Sequence, residues 1–585
     1  MFKRIPTWFF GFITVLAVCL PLFEPTFFRL HDYVHAARII EIIRALQDGN
    51  FPVRWSSNFG YGYGMPLFEF YAPLPYYTGA LFYTLGLNVV AAIKMLFFLC
   101  SLMTFIGMYK LGSKLFGKAG GILSAVALTM APYRAVNLYV RGALSEAWGI
   151  MALPWVLFGA VQIIKKEKNG WLSLLFGLVV LFLSHNITTL IFIPISILFV
   201  IGYSLMTAWK NGHFKKDFVM QLLQLIKVGA LYIFGVALAA FYIFPAFLEK
   251  DYTKVNAIFS GYFAYSNHFL YIRQFFIPNW GYGGSVWGPD DGLSFFLGYG
   301  QLFGLALVLI WLLKAIMMKL RELKLKQQHI TVVNQSPTYI FMPVLCLLLM
   351  GVAAFMTLLK SKPIWDVLPF MVAVQFPWRW LSVIILFLAL LVGMATVYIR
   401  HKFLRYIYVV VLSFIIIFTN LSYFKPESYL KNNDDLYFTD ANRIRSQMSA
   451  ILPDYIPKQM PDEFAYNPVG NVVMPAAGVE EKVIEDKVQE KKVQVVTNTL
   501  TEINFAIADY PGWTVLIDGK VSKKTQGKIG NLAVMVPQGS HEITAQFRDT
   551  PIRAYSDEVS LVAFILFLVI FAIYRYQQKR ASYVG

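Results

Sequence analysis

Residues 380–399 read WLSVIILFLALLVGMATVYI, twenty positions without a charge. At 1.5 Å per residue, about 20 apolar residues make a helix that crosses a hydrocarbon core ~30 Å thick. Working outward, comparable runs stand at 7–27, 91–112, 119–132, 148–164, 171–185, 187–208, 226–247, 293–314, 338–359, 406–424 and 557–574. The 585 residues are 57% hydrophobic and 14% charged, with a mean hydropathy of +0.57. An ordinary soluble domain carries roughly 25% charged residues, and disordered, coiled-coil and collagen-like chains are excluded by the same figures. The expectation is a polytopic α-helical membrane protein with about 12–14 transmembrane helices.

The formal net charge of +18 invites a nucleic-acid reading, but its placement argues against one. Residues 425–556 hold 15 basic and 17 acidic residues, so the excess lies among the apolar runs, 36 against 16. It falls in clusters: Lys3/Arg4, Lys110/Lys114/Lys118, Lys165/Lys166/Lys168, Lys210/Lys215/Lys216, Lys314 to Lys326, Arg400/Lys402/Arg405 and Arg575/Lys579/Arg580. These alternate with segments poor in Lys and Arg, and by the positive-inside rule the basic side is cytoplasmic. Both termini are then cytoplasmic, the lipid bilayer is a partner, and no nucleic acid is needed. Cys19, Cys100 and Cys346 lie in apolar stretches and form no ligand pair or disulfide framework. The first run ends Pro21-Leu22-Phe23-Glu24-Pro25, without a small-residue cleavage pattern, and reads as an uncleaved span. The stretch 73–112 is long for one crossing; 73–88 reads as re-entrant or interfacial.

The remaining segments are external: 28–72, 133–147, 248–292, 360–379 and 425–556. The chain divides into a transmembrane domain over 1–424, a soluble extracytoplasmic domain over 425–556, and a last helix with a short tail over 557–585. The soluble part opens on Lys431-Asn432-Asn433-Asp434-Asp435 and has an alternating charged stretch from Glu480 to Val496. Strands are expected at 491–497, 502–508, 513–517, 531–537 and 541–548, mainly within 491–550. Asp518-Gly519 marks a hairpin turn and Gly539 another. A β-sandwich is the simplest packing.

In the first external segment, Val34, Ile39, Ile40, Ile42, Ile43 and Leu46 recur with helical spacing, Arg38, Glu41, Arg44 and Asp48 fall between them, and Gly49 ends the run. That is an amphipathic helix suited to a membrane surface. Asp32 stands just before it. Helix physics favours an N-cap; the functional reading is a carboxylate at the water–membrane boundary that accepts a proton or binds a metal. His31, Asp32 and His35 together form the one candidate set for a divalent metal ion. Arg54, Trp55 and the Tyr61-Gly62-Tyr63-Gly64 run follow; the aromatics suit the interfacial belt and also sugar faces. Elsewhere outside stand Arg134, Arg141 and Glu146, His185 at the turn between two spans, Arg273 near Asn279, Trp280, Asp290 and Asp291, and Arg379 at the start of a span. Each arginine alone suits snorkelling. Several together on the side where Lys and Arg are disfavoured suit two-point binding of phosphate.

The order His31-Asp32-x-x-His35-x-x-Arg38, Asp48-Gly49-x-Phe51-Pro52-x-Arg54-Trp55, Tyr71-Ala72-Pro73-Leu74, Arg141-Gly142-Ala143-x-x-Glu146, Leu183-Ser184-His185-Asn186 and Phe376-Pro377-Trp378-Arg379 resembles bacterial integral membrane proteins related by name to 6-pyruvoyl-tetrahydropterin synthase, and YfhO-type membrane proteins. Asp509-Tyr510-Pro511-Gly512-Trp513 with Val536-Pro537-x-Gly539-x-His541 resembles the external β-domain of the YfhO type. Both groups are similar to C-type (GT-C) membrane glycosyltransferases. That resemblance implies a polyprenyl-phosphate sugar donor, a cell-envelope glycan or lipid acceptor, and an acidic residue after the first span, the place of Asp32. It also implies catalytic roles for Asp32, His35 and Glu146, and substrate contacts from His31, Arg38, Arg54, Trp55, Arg141, His185, Arg273 and Arg379. The pterin label does not carry over, since a soluble pterin enzyme needs a zinc site and none is supplied. Two rival readings are a transporter or flippase of lipid-linked glycans, and a non-catalytic scaffold or sensor with a glycan-binding β-domain.

Overall fold

The computed structural model describes all residues except 1–6, 211–213, 328–337, 432–438, 452, 462–468 and 585. The Lys3/Arg4 cluster and most of the 431–435 segment therefore lie outside the described residues. Among the described residues, nine helices are long and apolar enough to cross a membrane: Val89–Thr129, Leu144–Ile164, Asn186–Trp209, Asp217–Leu238, Tyr299–Arg321, Ile340–Thr357, Pro377–Tyr398, Lys402–Tyr423 and Pro551–Arg580. The chain is a multi-pass membrane protein. The difference from the twelve runs in the sequence has physical causes. The runs at 91–112 and 119–132 join in Val89–Thr129, interrupted where Gly117 leaves helical geometry (φ 81°). The runs at 7–27 and 171–185 become shorter apolar helices, Phe9–Phe23 and Gly170–Ser184. The run at 226–247 splits: one helix ends at Leu238 and a second spans Ala240–Leu248. The run at 293–314 starts late, because Gly298 (φ 96°) ends a non-helical stretch whose Leu293, Phe295, Phe296 and Leu297 are buried. Residues Leu74–Thr84 form an 11-residue helix, roughly 16 Å long and too short to span.

By contacts the chain forms two compact units, which divide differently from 1–424, 425–556 and 557–585. The first is Met1–Tyr33, Lys94–Ile233 and Gly261–Lys431; the second is Val34–Ile93, Phe234–Ser260 and Asn432–Gly585.

The first unit is helical. Leu144–Ile164 is buried along its whole length and Leu381–Tyr398 nearly so. The close approach of Leu144–Ile164 to Gly170–Ser184 is set by glycine. A Cβ on Gly159 would stand 2.2 Å from the Leu174 backbone nitrogen, and one on Gly177 2.5 Å from that of Val156. Small residues let membrane helices pack backbone to backbone, where dispersion contacts supply the attraction.

The second unit holds the β structure: β1 Val479–Asp486, β2 Glu490–Thr497, β3 Thr501–Ala508, β4 Trp513–Ile517, β5 Lys520–Ser522, β6 Lys524–Gln526, β7 Asn531–Val536 and β8 Gly539–Phe547. Two antiparallel sheets result, in the orders β1-β2-β8-β4-β5 and β3-β7-β6. The five expected strands are all present. The charged stretch from Glu480 is the β1–β2 hairpin, with β1 at the sheet edge, where charge discourages further pairing. Val493 and Val495 of β2 face inward in alternation, as do Ile543 and Ala545 of β8. Asp518 (φ 49°) and Gly519 (φ 77°) make the two-residue turn of the β4–β5 hairpin. Gly539 instead opens β8 opposite Thr497, so the Pro537-Gln538 connection passes from one sheet to the other and is no hairpin turn.

The amphipathic helix forms as His35–Gln47, but it is not a surface helix. Arg38 and Glu41 are buried along with Ile39 and Ile42. Its N-cap is Val34 and no side chain caps it, so the N-cap reading of Asp32 is corrected: the helix begins too late.

A two-arginine cluster as candidate active site

The site in the first unit is built by two local devices. Val136–Val140 forms a π-helical turn, a feature that recurs at functional sites. Gly142 (φ 65°) then turns the chain into the helix Leu144–Ile164, with Leu30 packed where a Cβ on Gly142 would lie, 2.6 Å from its Cδ1. This places Glu146 in the first turn of that helix, where the helix dipole favours a carboxylate. The second device is the segment 375–380. Gln375 holds an uncommon left-sided backbone (φ 60°, ψ −48°), and Pro377 opens the short turn that carries Arg379.

The side chains then converge. Arg141 NH1 donates to Glu146 Oε2 at 2.8 Å and to Asn137 Oδ1 at 2.6 Å. Arg379 Nε stands 3.7 Å from the same Glu146 oxygen. The Tyr133 hydroxyl donates to Glu146 Oε1, and Asn137 Nδ2 lies 3.4 Å from it. Arg379 NH1 donates to the Val374 carbonyl at 2.8 Å and to Gln375 Oε1 at 3.0 Å. Both guanidiniums lie by the Trp378 ring, 4.6 Å for Arg141 and 5.9 Å for Arg379. Glu146 is buried, while Arg141 and Arg379 keep 13% and 11% of their side chains accessible.

A second layer holds Trp378. Its indole N–H donates to Ser285 Oγ at 3.2 Å. Ser285 donates to Asp291 at 3.1 Å and pairs with His268 Nδ1 at 3.0 Å. The His268 ring packs on Phe376, which stacks on Trp378.

Asp32 reaches the cluster through its backbone. Its N–H donates to the Arg141 carbonyl at 2.9 Å, and the His31 N–H donates to the Val140 carbonyl at 3.2 Å. The half-buried Asp32 carboxylate thus stands close enough to help stabilise charge on Arg141. Burial opposes that charge most strongly, but Glu146, Tyr133 and Asp32 together outweigh it and the Arg141 pKa stands above its ordinary value. His185, in the turn after Ser184, is pushed down to about 3 by burial, against the attraction of Glu146 and with added repulsion from Arg379 and Arg141. Its Nδ1 accepts from the Thr188 N–H at 3.1 Å, so the single proton of the neutral ring sits on Nε2.

Other candidates fall elsewhere. Arg273 pairs with Asp290 at 3.0 Å on the surface, which answers its charge away from the cluster. The His31 ring donates to the Tyr282 carbonyl at 2.8 Å. In the second unit, the Tyr76 hydroxyl accepts from Arg38 NH1 at 2.7 Å and donates to His35 Nδ1 at 3.1 Å. Arg38 also covers the Tyr71 ring at 3.9 Å, and the buried Asp454 carboxyl is pushed up to about 7 by burial, against the pull of Arg38. Arg54 donates to Asp557 at 2.5 Å, Asp549 at 3.3 Å and the Phe241 carbonyl at 3.1 Å. Trp55 is buried against Trp513, Phe547 and Tyr510, with ring centroids 5.3–6.0 Å away, so it offers no face to a sugar or to lipid headgroups.

Among the described residues, no three His, Cys, Asp or Glu side chains stand together as a metal would need. The His31, Asp32 and His35 set does not assemble, since the two rings are engaged by Tyr282 and Tyr76. The donor set present does not fit a divalent ion. Sequence reasoning missed Tyr133, Asn137, Gln375 and His268. The signal that was available was a polar residue, Asn137, inside an otherwise apolar turn.

No family model matches the chain. A curated protein of Lactococcus lactis subsp. cremoris (strain MG1363), itself uncharacterized, is 27% identical over 267 residues, 44% of this chain and 42% of that protein. The match thus spans less than half of that relative's length. Among solved structures, the chain is similar to the arabinofuranosyltransferase AftD from mycobacteria (TM-score 0.41, 14% identity, 73% of this chain and 27% of that one). It is also similar to the Archaeoglobus fulgidus oligosaccharyltransferase tethered with an acceptor peptide (TM-score 0.44, 12% identity, 74% and 56%). A third is the oligosaccharyltransferase AglB of the same organism in complex with an inhibitory peptide and a dolichol-phosphate (TM-score 0.42, 13% identity, 72% and 55%).

Proposed function

We propose that this chain is a GT-C-like membrane glycosyltransferase. It transfers a sugar from a polyprenyl-phosphate donor to a cell-envelope glycan or lipid acceptor at the outer face of the cytoplasmic membrane, with the β-domain outside and both termini inside. The observation that carries the reading is the convergence of Arg141 and Arg379 on the single buried carboxylate of Glu146, beside Asp32. Both guanidiniums remain partly accessible, and arginine matches phosphate in two-point fashion.

The chemistry then balances. The acceptor hydroxyl oxygen forms a bond to the anomeric carbon as the bond from that carbon to the phosphate oxygen breaks. Asp32 takes the hydroxyl proton. The electron pair leaves on the lipid phosphate, whose growing charge Arg141 and Arg379 stabilise, the electrostatic contribution expected to dominate. Glu146 takes a positioning role, because Arg141, Arg379, Tyr133 and Asn137 already occupy its oxygens. The test is transfer by the purified protein from a polyprenyl-phosphate sugar. Asp32→Asn and Arg379→Ala each lower transfer by about 10²-fold or more while expression is intact; normal transfer by both variants removes the proposed roles.

A further inference from the structure

Two adjoining cavities of about 310 Å³ and 260 Å³ lie within the second unit and share Asp48 and Lys487 in their walls. In the larger, Arg44, Arg445, Lys487 and Lys491 outnumber Asp48 and Asp486. Both carboxylates are already engaged. Asp48 accepts from the Val488 N–H at 2.7 Å, Asp486 pairs with Lys491, and Lys487 pairs with Glu485. The smaller cavity adds Glu490 and Arg548, and Arg548 is held by the Gln546 amide oxygen at 2.9 Å.

The two guanidiniums are set in place by a buried hub. Glu41 accepts from Arg44 NH1 at 2.8 Å, Asn58 Nδ2 at 2.7 Å, the Asn58 N–H at 3.1 Å and Ser56 Oγ at 2.6 Å. Asn58 Oδ1 in turn accepts from Arg445 Nε at 2.9 Å. One buried carboxylate therefore fixes Arg44 directly and Arg445 through an amide. Each cavity wall also holds a buried donor with no hydrogen-bond partner among the described residues: Trp513 Nε1 in the larger, Asn50 Nδ2 in the smaller. A buried donor left unanswered is costly, so orphaned donors in a cavity wall point to an acceptor supplied from outside.

We infer that these cavities form one binding cleft for an anionic saccharide bearing carboxylate or phosphate groups. Arg445 and Arg548, each held by a neutral amide oxygen, answer its acid groups, and the orphaned N–H groups answer its hydroxyl and ring oxygens. Side-chain amides of Gln47, Asn471, Gln489 and Gln546 line the rest of the walls. An acidic peptide fits less well, because extended peptides are read by an open sheet edge with pockets for alternate side chains. The inference is independent of the transfer chemistry, with which the cleft shares no residue.

The experiment is calorimetric titration of the purified full chain with tetragalacturonate and with glucose 6-phosphate, against glucose and a tetra-aspartate peptide. Binding of the acidic saccharides but not of glucose is expected, and the tighter of the two names carboxylate or phosphate as the recognised group. Arg445→Gln weakens that binding by about tenfold or more. Lys487→Glu, at a partly exposed position that leaves the Glu41 hub intact, weakens it in the same direction. No binding of either acid, equal binding of glucose, affinity unchanged in both variants, or equal binding of tetra-aspartate would each overturn the inference.

Discussion

Each unit buries a carboxylate–guanidinium cluster, and the two have opposite stoichiometry. In the first, two arginines meet one glutamate. In the second, Arg553 stands 3.0 Å from Glu69 and 2.7 Å from Glu249, all three fully buried. Tyr510 donates to Glu69 at 3.0 Å and Thr550 to Glu249 at 2.5 Å. Burial pushes Glu69 up to about 8, against the pull of Arg553. Burial would also raise Glu249, but the hydrogen bond from Glu69 and the Arg553 charge hold it below its ordinary value. One proton shared by two acids leaves one negative charge facing one positive charge. The cluster is neutral and complete, a staple. The two-arginine cluster instead keeps both guanidiniums partly accessible. The same residue types thus serve hold and grip, and accessibility decides which.

The sharpest way to break this contrast is to remove the cation from the staple. Arg553→Ala leaves two acids buried without a guanidinium, a loss of about 3–5 kcal/mol, read as a large fall in the melting temperature of the detergent-solubilised chain. A variant as stable as the parent ends the staple reading. The next largest effect is on the other side. Arg379→Ala lowers transfer by about 10²–10³-fold with the melting temperature nearly unchanged, because that guanidinium is partly accessible and its loss leaves Arg141 on Glu146. A rate loss matched by equal unfolding would make it a second staple.

Much of this was legible in the sequence for a definite reason. Arginine in segments expected to be external runs against the topology signal, which singled out Arg141 and Arg379, and alternation marked five strands. Pairing was not legible. Periodicity places Arg38 and Glu41 on a polar face, but Tyr71 and Tyr76 cover the first and Ser56 and Asn58 the second, so both faces are buried. Asn137 and Arg141 stand four apart, neighbours on any helix, but nothing in 133–147 marks a helical turn in advance, and it is the π-helical turn that makes them meet. The Asp509-Tyr510-Pro511-Gly512-Trp513 motif was legible only as a resemblance to an external β-domain, and its structural role was not: Tyr510 donates to Glu69, and a Cβ on Gly512 would come within 2.7 Å of Arg553. It belongs to the staple.

Smaller, and opposite in sign, is the response to pH. Glu69 is neutral when folded and ionises when unfolded, so its contribution is full below about 4.5 and is lost as pH rises through about 8. His185 is neutral when folded and protonates when unfolded, so its contribution is full above about 6.5 and is lost as pH falls toward about 3. Melting temperatures across pH should therefore fall on both sides. Glu69→Gln flattens the alkaline side alone, and an alkaline limb that survives this change removes Glu69 as its source.

The smallest expected effect probes what holds the grip in place. Trp378→Phe keeps a ring beside Arg141 and Phe376 but deletes the N–H that donates to Ser285. A single such bond is worth about 1 kcal/mol, so transfer should fall only severalfold, with donor KM rising more than kcat falls, since the arginines remain and only their seating loosens. Ser285→Ala removes the same bond from the other end and should cost no more when combined with Trp378→Phe than either change costs alone. Additive losses would mean that Ser285 acts through His268 and Asp291 instead, and that the second layer grips the cluster from two sides.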